Sequence, residues 1–122
     1  MAKILIVDDS ETARMLVKNL LEPIGHSVVE AFNGSQGLEL IQANPDLALV
    51  ICDMNMHILD GLGMCQRLTE IAGAPKPPIV MLSTEADPKM IIKAKSVGVT
   101  AWATKPFSSE KLLSLVQKIL KT

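Results

Sequence analysis

The sequence predicts an α/β protein with a five-stranded parallel sheet between layers of helices. Short apolar runs alternate with segments of helical periodicity, which is the pattern of repeated β–α–β units. Two of these runs, Lys3–Val7 and residues 47–52, are almost entirely apolar, as strands are when both faces are buried. Both runs are followed by carboxylates, Asp8-Asp9 and Asp53. Ligands bind beyond the carboxyl ends of the strands in such sheets, so a functional site is expected there.

The first strand, Lys3–Val7, leads into the first predicted helix. Ser10 can cap this helix with its hydroxyl, and Pro23 and Gly25 end it. Apolar residues at helical spacing are predicted to face the sheet: Ala13, Leu16, Val17, Leu20 and Leu21.

The second helix is predicted between two further strands. A strand at Ser27–Ala31 precedes a turn at Asn33-Gly34. The helix then covers residues 35–43, and the third strand covers residues 47–52.

The second half of the chain supplies three helices and two strands. The helices are predicted at residues 62–72, at residues 88–97 and after a cap at Ser109, and the strands at residues 79–82 and 100–103. Right-handed crossovers leave few arrangements, and the flavodoxin-like order 2-1-3-4-5 is the natural one for five strands. Residues 1–122 are expected to form one domain, because we find no repeat, linker or low-complexity segment.

Composition narrows the class of protein. Hydrophobic residues make up 48% of the chain and charged residues 20%, which is typical of a globular domain. The net charge of -1 and the scattered lysines favour neither a nucleic-acid nor a membrane partner. No stretch reaches membrane-spanning length and no signal peptide is apparent, so a cytoplasmic protein is expected. Cys52 and Cys65 match no metal or redox motif and are predicted to be small buried residues.

Polar residues at the ends of four strands suggest phosphoryl chemistry. Parallel strands bring Asp8-Asp9, Asp53, Ser83 and Lys105 to one edge of the sheet. Three clustered carboxylates need a cation, because like charges oppose ionisation, and an all-oxygen ligand set favours Mg²⁺. Lys105 could then bind an anion, and Asp53 could act as a nucleophile towards phosphorus.

These residues resemble the receiver domain of two-component response regulators. The resemblance rests on Asp8-Asp9, Asp53, Ser83 and Lys105-Pro106-Phe107, in this order and on the expected strands. It covers residues 3–120 and is greatest to single-domain, CheY-like chemotaxis regulators. It implies a two-component signalling protein that a histidine kinase (CheA-like) phosphorylates.

The resemblance also implies a role for each site residue. Asp53 would be the phospho-acceptor. Mg²⁺ would be held by Asp9, Asp53 and the backbone carbonyl of Asn55, with Asp8 acting mainly through water. Lys105 would pair with the phosphorylated aspartate, across a Lys-Pro bond that is commonly cis in such domains.

Four further residues would serve the switch and its reversal. Ser83 would donate a hydrogen bond from its hydroxyl to a phosphoryl oxygen and so pull the loop after the fourth strand inward. Trp102 would then turn into the space that the loop vacates. Asn55 and Glu85 would tune the attack of water on the acyl phosphate. The residues expected on or near the output face, formed by the fourth helix, the fifth strand and the fifth helix, are Ile91, Lys95, Val99 and Trp102.

The chain departs from the family's usual residues at His57, Ser83 and Trp102, and of these Ser83 replaces the commoner threonine but keeps its hydroxyl. His57 stands where many receivers carry proline, which leaves the loop after Asp53 one more free φ angle. Trp102 is larger than the usual tyrosine or phenylalanine, so its full inward rotation needs more space. Each residue taken alone also has an ordinary interpretation, such as a helix cap, a strand end or a surface lysine.

The expected partner is a flagellar motor switch protein or another protein target, and the protein is expected to be a monomer. A phosphorelay intermediate or a phosphate sink is the alternative within the family. A Mg²⁺-dependent phosphohydrolase is a remote alternative, because such enzymes carry an aspartate as general acid where this chain has Asn55. No enzyme activity beyond phosphorylation and dephosphorylation at Asp53 is therefore expected. A dinucleotide-binding fold is disfavoured, since Asp8-Asp9-Ser10 replaces the glycine-rich loop.

Overall fold

The structure is a computed structural model and describes residues 2–56 and 58–121. Within them the strands are β1 (Lys3–Val7), β2 (Ser27–Ala31), β3 (Leu49–Asp53), β4 (Ile79–Ser83) and β5 (Ala101–Thr104). The helices are α1 (Glu11–Leu21), α2 (Gly34–Ala43), α3 (Gly61–Glu70), α4 (Pro88–Ser96) and α5 (Ser109–Leu120). A short 3₁₀ turn, Glu22–Ile24, follows α1.

The five strands form one parallel sheet in the order β2-β1-β3-β4-β5, which confirms the predicted fold. Its register aligns the carboxyl ends of the central strands. Val7 lies opposite Cys52, and Asp53 lies opposite Leu82. The residues that follow β1, end β3 and β4 and follow β5 therefore meet at one edge of the sheet.

Two apolar layers cover the sheet, because successive side chains of a strand point to opposite faces. On one face, Leu5, Val50 and Met81 pack with residues of α2, α3 and α4. On the other, Ile6 and Ile51 pack with residues of α1 and α5. Burial of both faces explains why β3 and β4 read as continuous apolar runs.

Each of the five α-helices is preceded by a residue whose side-chain oxygen accepts a hydrogen bond from a backbone N–H of the first turn. This contact satisfies an N–H group that has no carbonyl partner within the helix. These N-caps are Ser10, Asn33, Asp60, Asp87 and Ser108. The predicted cap of α1 at Ser10 is confirmed. The caps of α2 and α5 differ from the prediction. Asn33-Gly34 is the start of α2 rather than a separate turn, and Ser108, which is still extended, caps α5 in place of Ser109.

Two further expectations are wrong in detail. Leu16 is 57% exposed, because the buried side of α1 runs through Arg14, Val17 and Leu21. Strand β3 begins at Leu49 instead of residue 47, since the Leu47 N–H turns back to the carbonyl of Asn44.

Both cysteines are free thiols and fully buried, as the sequence predicts. Burial raises the pKa of Cys52 well above its usual range, and burial together with the Asp60 carboxylate raises the pKa of Cys65 to about 11. Among the residues that the structure describes, no helix combines the length and apolar character needed to cross a bilayer.

Candidate functional site

Three carboxylates meet at the carboxyl edge of the sheet. Asp8 and Asp9 directly follow β1, and Asp53 is the last residue of β3. One carboxylate oxygen from each lies within 4.8 Å of the others. Asp8 and Asp53 are buried and Asp9 is exposed, so the cluster opens to solvent on one side. The arrangement can hold a hard divalent cation, for which carboxylate oxygens are the preferred protein ligands.

Asp8 is fixed by the backbone around it. Its N–H donates to the carbonyl of Ala31 at 3.1 Å, and its Oδ1 accepts a hydrogen bond of 2.9 Å from the N–H of Ser10. Burial raises the pKa of Asp8, and the neighbouring carboxylates of Asp53 and Asp9 raise it further against the opposing effects of Ser10 and Lys105. Negative charge at this position is thus incompletely compensated, which suits a cation.

Lys105 brings the only ammonium group paired with these carboxylates among the described residues. Its Nζ lies 2.9 Å from Asp53 Oδ1 and 4.0 Å from Asp8 Oδ2. Lys105 follows β5, and its N–H donates to the carbonyl of Ser83 at 2.7 Å, which continues the pairing of β4 with β5. The Lys105–Pro106 peptide bond is cis. The lysine therefore reaches across the sheet edge to the end of β3.

Ser83, Glu85 and Trp102 form a chain of contacts leading away from the carboxylates. Ser83 ends β4 and is buried, and its Oγ accepts a hydrogen bond of 3.0 Å from the N–H of Glu85. The carbonyl of Glu85 accepts a hydrogen bond of 2.9 Å from the indole Nε1 of Trp102. The hydroxyl at the site edge is thereby connected to the aromatic side chain of β5 through one backbone residue.

Gly61 lets α3 begin against the end of β3. A Cβ at this position would lie 2.9 Å from the carbonyl oxygen of Asp53 and 2.6 Å from Met81 Sδ. Its N–H donates to the carbonyl of Met54 at 3.1 Å, and Asp60 caps the helix. A backbone hydrogen bond therefore joins Met54, just after β3, to Gly61, the first residue of α3.

The structure places the other predicted residues as follows. Asn55 and Glu85 are exposed beside the site, Ile91 is half-buried and Lys95 is exposed. Val99 lies between α4 and β5, near the expected output face, but it is only 6% exposed and packs into the core beside Ala94 and Val97, so it is not on the surface of that face. His57 lies outside the described residues.

Arg14 is a residue of the site region that the sequence does not single out. A charged residue in a helix is usually solvated, yet Arg14 is buried, and its Nη1 donates a hydrogen bond of 2.7 Å to the carbonyl of Asp8. One signal was available: the apolar stripe of α1 at Ala13, Val17 and Leu21 places position 14 near the sheet.

The fold and the arrangement of Asp8, Asp9, Asp53 and Lys105 define a class of protein. The model of the response regulator receiver domain matches residues 4–117, which is nearly the whole chain. The chain belongs to this family, as the sequence predicts.

Chemotaxis proteins are among its similar relatives. The chain is 34% identical over 121 residues to the chemotaxis protein CheY1 of Helicobacter pylori, covering 98% of each chain. It is equally identical to a CheY homologue of Campylobacter jejuni, covering 93% of that protein. The structure of chemotaxis protein CheY4 of Vibrio cholerae superposes with a TM-score of 0.88 at 34% identity and 98% coverage of both chains. The protein is thus a CheY-like receiver domain.

Proposed function

We propose that Asp53 accepts a phosphoryl group from the phosphohistidine of a histidine kinase, with Mg²⁺ as cofactor. The observation that carries this proposal is the position of Asp53. Its carboxylate lies 2.9 Å from the Lys105 ammonium and shares a cluster, within 4.8 Å, with oxygens of Asp8 and Asp9. A nucleophile, a charge-neutralising lysine and a cation site thus meet at one point.

In the transfer, an oxygen of Asp53 attacks phosphorus and forms an O–P bond while the N–P bond of the phosphohistidine breaks. The imidazole nitrogen keeps the electron pair and takes up a proton from water. Lys105 stabilises the negative charge that gathers on the phosphoryl oxygens. Its Nζ is already paired with Asp53, so little reorganisation is needed when this charge develops.

The oxygen ligands suit magnesium. Asp9, Asp53 and the carbonyl of Asn55 would hold the ion, and Asp8 would act mainly through bound water. When bound, the ion offsets the mutual repulsion of the carboxylates and the charge of the phosphoryl group. The raised pKa of Asp8 supports this assignment, because the carboxylate is ionised at a cost that a cation would remove.

The switch uses the contacts between Ser83 and Trp102. The Ser83 hydroxyl donates a hydrogen bond to a phosphoryl oxygen and moves towards Asp53. Because the Oγ accepts a hydrogen bond from the Glu85 N–H, this movement draws the loop after β4 inward. The Trp102 indole, which donates to the Glu85 carbonyl, then turns into the space that the loop vacates. Phosphorylation must favour one of two conformations by a few kcal/mol for this to act as a switch.

The output face comprises α4, β5 and α5. Ile91, Lys95 and Trp102 remain assigned to it, and Ile92, 69% exposed on α4, adds an apolar contact. The target we propose is a flagellar motor switch protein, because the relatives from Helicobacter pylori and Campylobacter jejuni, which match over 98% and 93% of their own length, are chemotaxis proteins. A phosphorelay intermediate or a phosphate sink is the second candidate within the family.

We propose no catalytic turnover beyond phosphorylation and dephosphorylation at Asp53. Asn55 and Glu85, both exposed beside the site, tune the attack of water on the acyl phosphate. A phosphohydrolase would need a general acid two residues after its nucleophile, and the amide of Asn55 cannot cycle a proton in that way.

The test is incubation with a small acyl phosphate in the presence of Mg²⁺, followed by intact-mass measurement. One phosphoryl group should be added to the wild type and none to Asp53→Asn, which keeps the size of the side chain but removes the nucleophile. Glu39→Asn, an exposed change on α2, should be phosphorylated like the wild type. Absence of the mass increase, or its persistence in Asp53→Asn, would refute the assignment.

A second experiment addresses the partner. The protein is immobilised with and without a phosphoryl mimic bound at Asp53, and purified motor switch protein or histidine phosphotransferase is passed over it. Tighter binding of the motor protein to the mimic-bound form supports the chemotaxis output. Preference for the phosphotransferase, independent of the mimic, supports a relay or a sink instead.

A further inference from the structure

Arg14 is an almost fully buried arginine, 6% exposed, that the proposed chemistry does not use. Its guanidinium meets three groups. Nη1 donates to the carbonyl of Asp8 at 2.7 Å, Nε donates to Glu30 Oε1 at 3.2 Å, and the ring of Phe32 lies 4.6 Å from the guanidinium carbon. Burying a guanidinium is costly unless its donors are satisfied, so these partners matter to the position of the side chain.

The peptide that joins Asp8 to Asp9 is held next to this arginine. The Asp8 N–H is bonded to the carbonyl of Ala31, and the Asp8 carbonyl is bonded to Arg14. Because a peptide is planar, fixing the carbonyl of Asp8 also fixes the direction of the Asp9 N–H. Asp9 is exposed, so the backbone largely sets the direction of its carboxylate.

We propose that Arg14 is a positioning residue for the cation site: it locks the Asp8–Asp9 peptide so that both carboxylates face Asp53. This inference rests on the proposed binding of Mg²⁺ by these carboxylates. Arg14 acts through geometry rather than charge, since Glu30 neutralises the guanidinium and the contact with the site is a carbonyl. Groups that orient metal ligands typically contribute about ten- to a hundredfold to metal affinity.

The decisive variant is Arg14→Lys. It keeps the positive charge but loses the planar fork that reaches the Asp8 carbonyl and Glu30 together. Lys18→Ala is the matched control. Lys18 Nζ lies 3.5 Å from Glu30 Oε2, so this change removes a cation from the same glutamate while Arg14 stays in place.

Two measurements are made on variants whose folding is checked by circular dichroism. Calorimetric titration with Mg²⁺ should show an affinity about tenfold weaker for Arg14→Lys and a change below about twofold for Lys18→Ala. Hydrogen exchange without metal should show faster exchange of the Ser10 amide, which donates to Asp8 Oδ1. The acceleration in Arg14→Lys should exceed that of the Ile51 amide in β3, which serves as a reference for global opening.

A folded Arg14→Lys protein with wild-type Mg²⁺ affinity, and with Ser10 exchange altered no more than that of Ile51, would overturn the proposal. If the wild type itself binds no Mg²⁺, the proposed cofactor fails. The acceleration of Ser10 amide exchange relative to that of Ile51 then decides alone whether Arg14 fixes the peptide. If Arg14→Lys does not fold, Glu30→Ala replaces it, since it removes the acceptor of Nε. Its Mg²⁺ affinity should fall by about threefold, and an unchanged affinity overturns the proposal.

Discussion

The indole Nε1 of Trp102 donates a hydrogen bond of 2.9 Å to the backbone carbonyl of Glu85, in the loop that follows β4. A phenylalanine at this position could not donate, and a tyrosine would donate from an O–H in a different place. The side chain of Trp102 is therefore bonded to the backbone of the loop whose Glu85 N–H donates a hydrogen bond to the Ser83 hydroxyl. This connection makes Trp102 both a part of the proposed switch and a fluorescent reporter of it.

Ser83→Ala should separate phosphorylation from the switch. Without Oγ, the Glu85 N–H loses its hydrogen-bond acceptor, and the phosphoryl group loses a hydrogen-bond donor. We expect the acyl phosphate donor to modify Asp53 still, while the change in Trp102 fluorescence falls to less than about a third of that in the wild type. Ser83→Thr, which keeps the hydroxyl, is the control. A full fluorescence change in Ser83→Ala would contradict the proposed route.

Removal of Lys105 should destabilise the metal-free protein. Lys105→Met leaves the buried carboxylates of Asp53 and Asp8 without their paired cation. The free energy of unfolding, measured with urea, should fall by about 1–2 kcal/mol, and phosphorylation of Asp53 should become slower. Lys111→Met, an exposed change on α5, should alter neither quantity. In the double variant with Asp53→Asn the loss of stability should shrink, which identifies the pair as its source.

Asp8→Asn should have the opposite effect on stability. Because the pKa of Asp8 is raised in the folded protein, its stabilising contribution is present below the unfolded value of 3.8 and is lost as the pH rises through the folded value. At neutral pH without metal, the variant should be more stable by on the order of 1 kcal/mol, and this advantage should vanish in acid. Saturating Mg²⁺ should stabilise the wild type more than the variant. Lower stability of the variant at neutral pH would contradict this account.

Ile58 should be replaceable with a gain in stability. This β-branched residue has φ 72 and is 83% exposed, so its backbone is strained and its side chain is little buried. Ile58→Gly should raise the free energy of unfolding by about 1 kcal/mol, because glycine adopts this conformation without a Cβ penalty. Ile58→Ala keeps the Cβ and should gain much less. Equal effects of the two changes would mean that strain is not the cause.

The thiol of Cys65 should lower stability at high pH. Its pKa of about 11 in the folded protein exceeds the ordinary value of 9.0, so the stabilising contribution is complete below pH 9.0 and is lost as the pH rises towards about 11. Denaturant midpoints measured across this range should fall more steeply for the wild type than for Cys65→Ala. A parallel decline of the two proteins would assign the loss to other groups.

Much of the fold could be predicted from local sequence patterns. Apolar runs located β1 and β4 to within one residue, and the crossover rule supplied the strand order. Element ends were less predictable, since they depend on which side chain reaches a free backbone N–H. Ser108 and Ser109 are chemically identical candidates, and only the extended backbone of Ser108 decides between them.

The site was predictable where strand ends define it. The positions of Asp8, Asp53 and Lys105 follow from the topology, and the resemblance implies the roles that we propose for them. The proposed role of Arg14 did not follow, because its partners, Asp8 just after β1 and Glu30 on β2, are brought to α1 only by the folded sheet. The burial of Val99 could not be predicted from the sequence either, since it depends on how the segment between α4 and β5 packs against the core.

The proposed site takes its residues from the ends of four strands, between Asp8 and Lys105. During synthesis, the acceptor Asp53 leaves the ribosome well before the lysine that neutralises it. Because a parallel sheet is completed only by distant segments, an unfinished or clipped chain carries a carboxylate but no assembled centre. Under the proposed function, only complete, folded molecules could be phosphorylated, so the cell's signalling capacity would follow the folded fraction of this protein rather than its total amount.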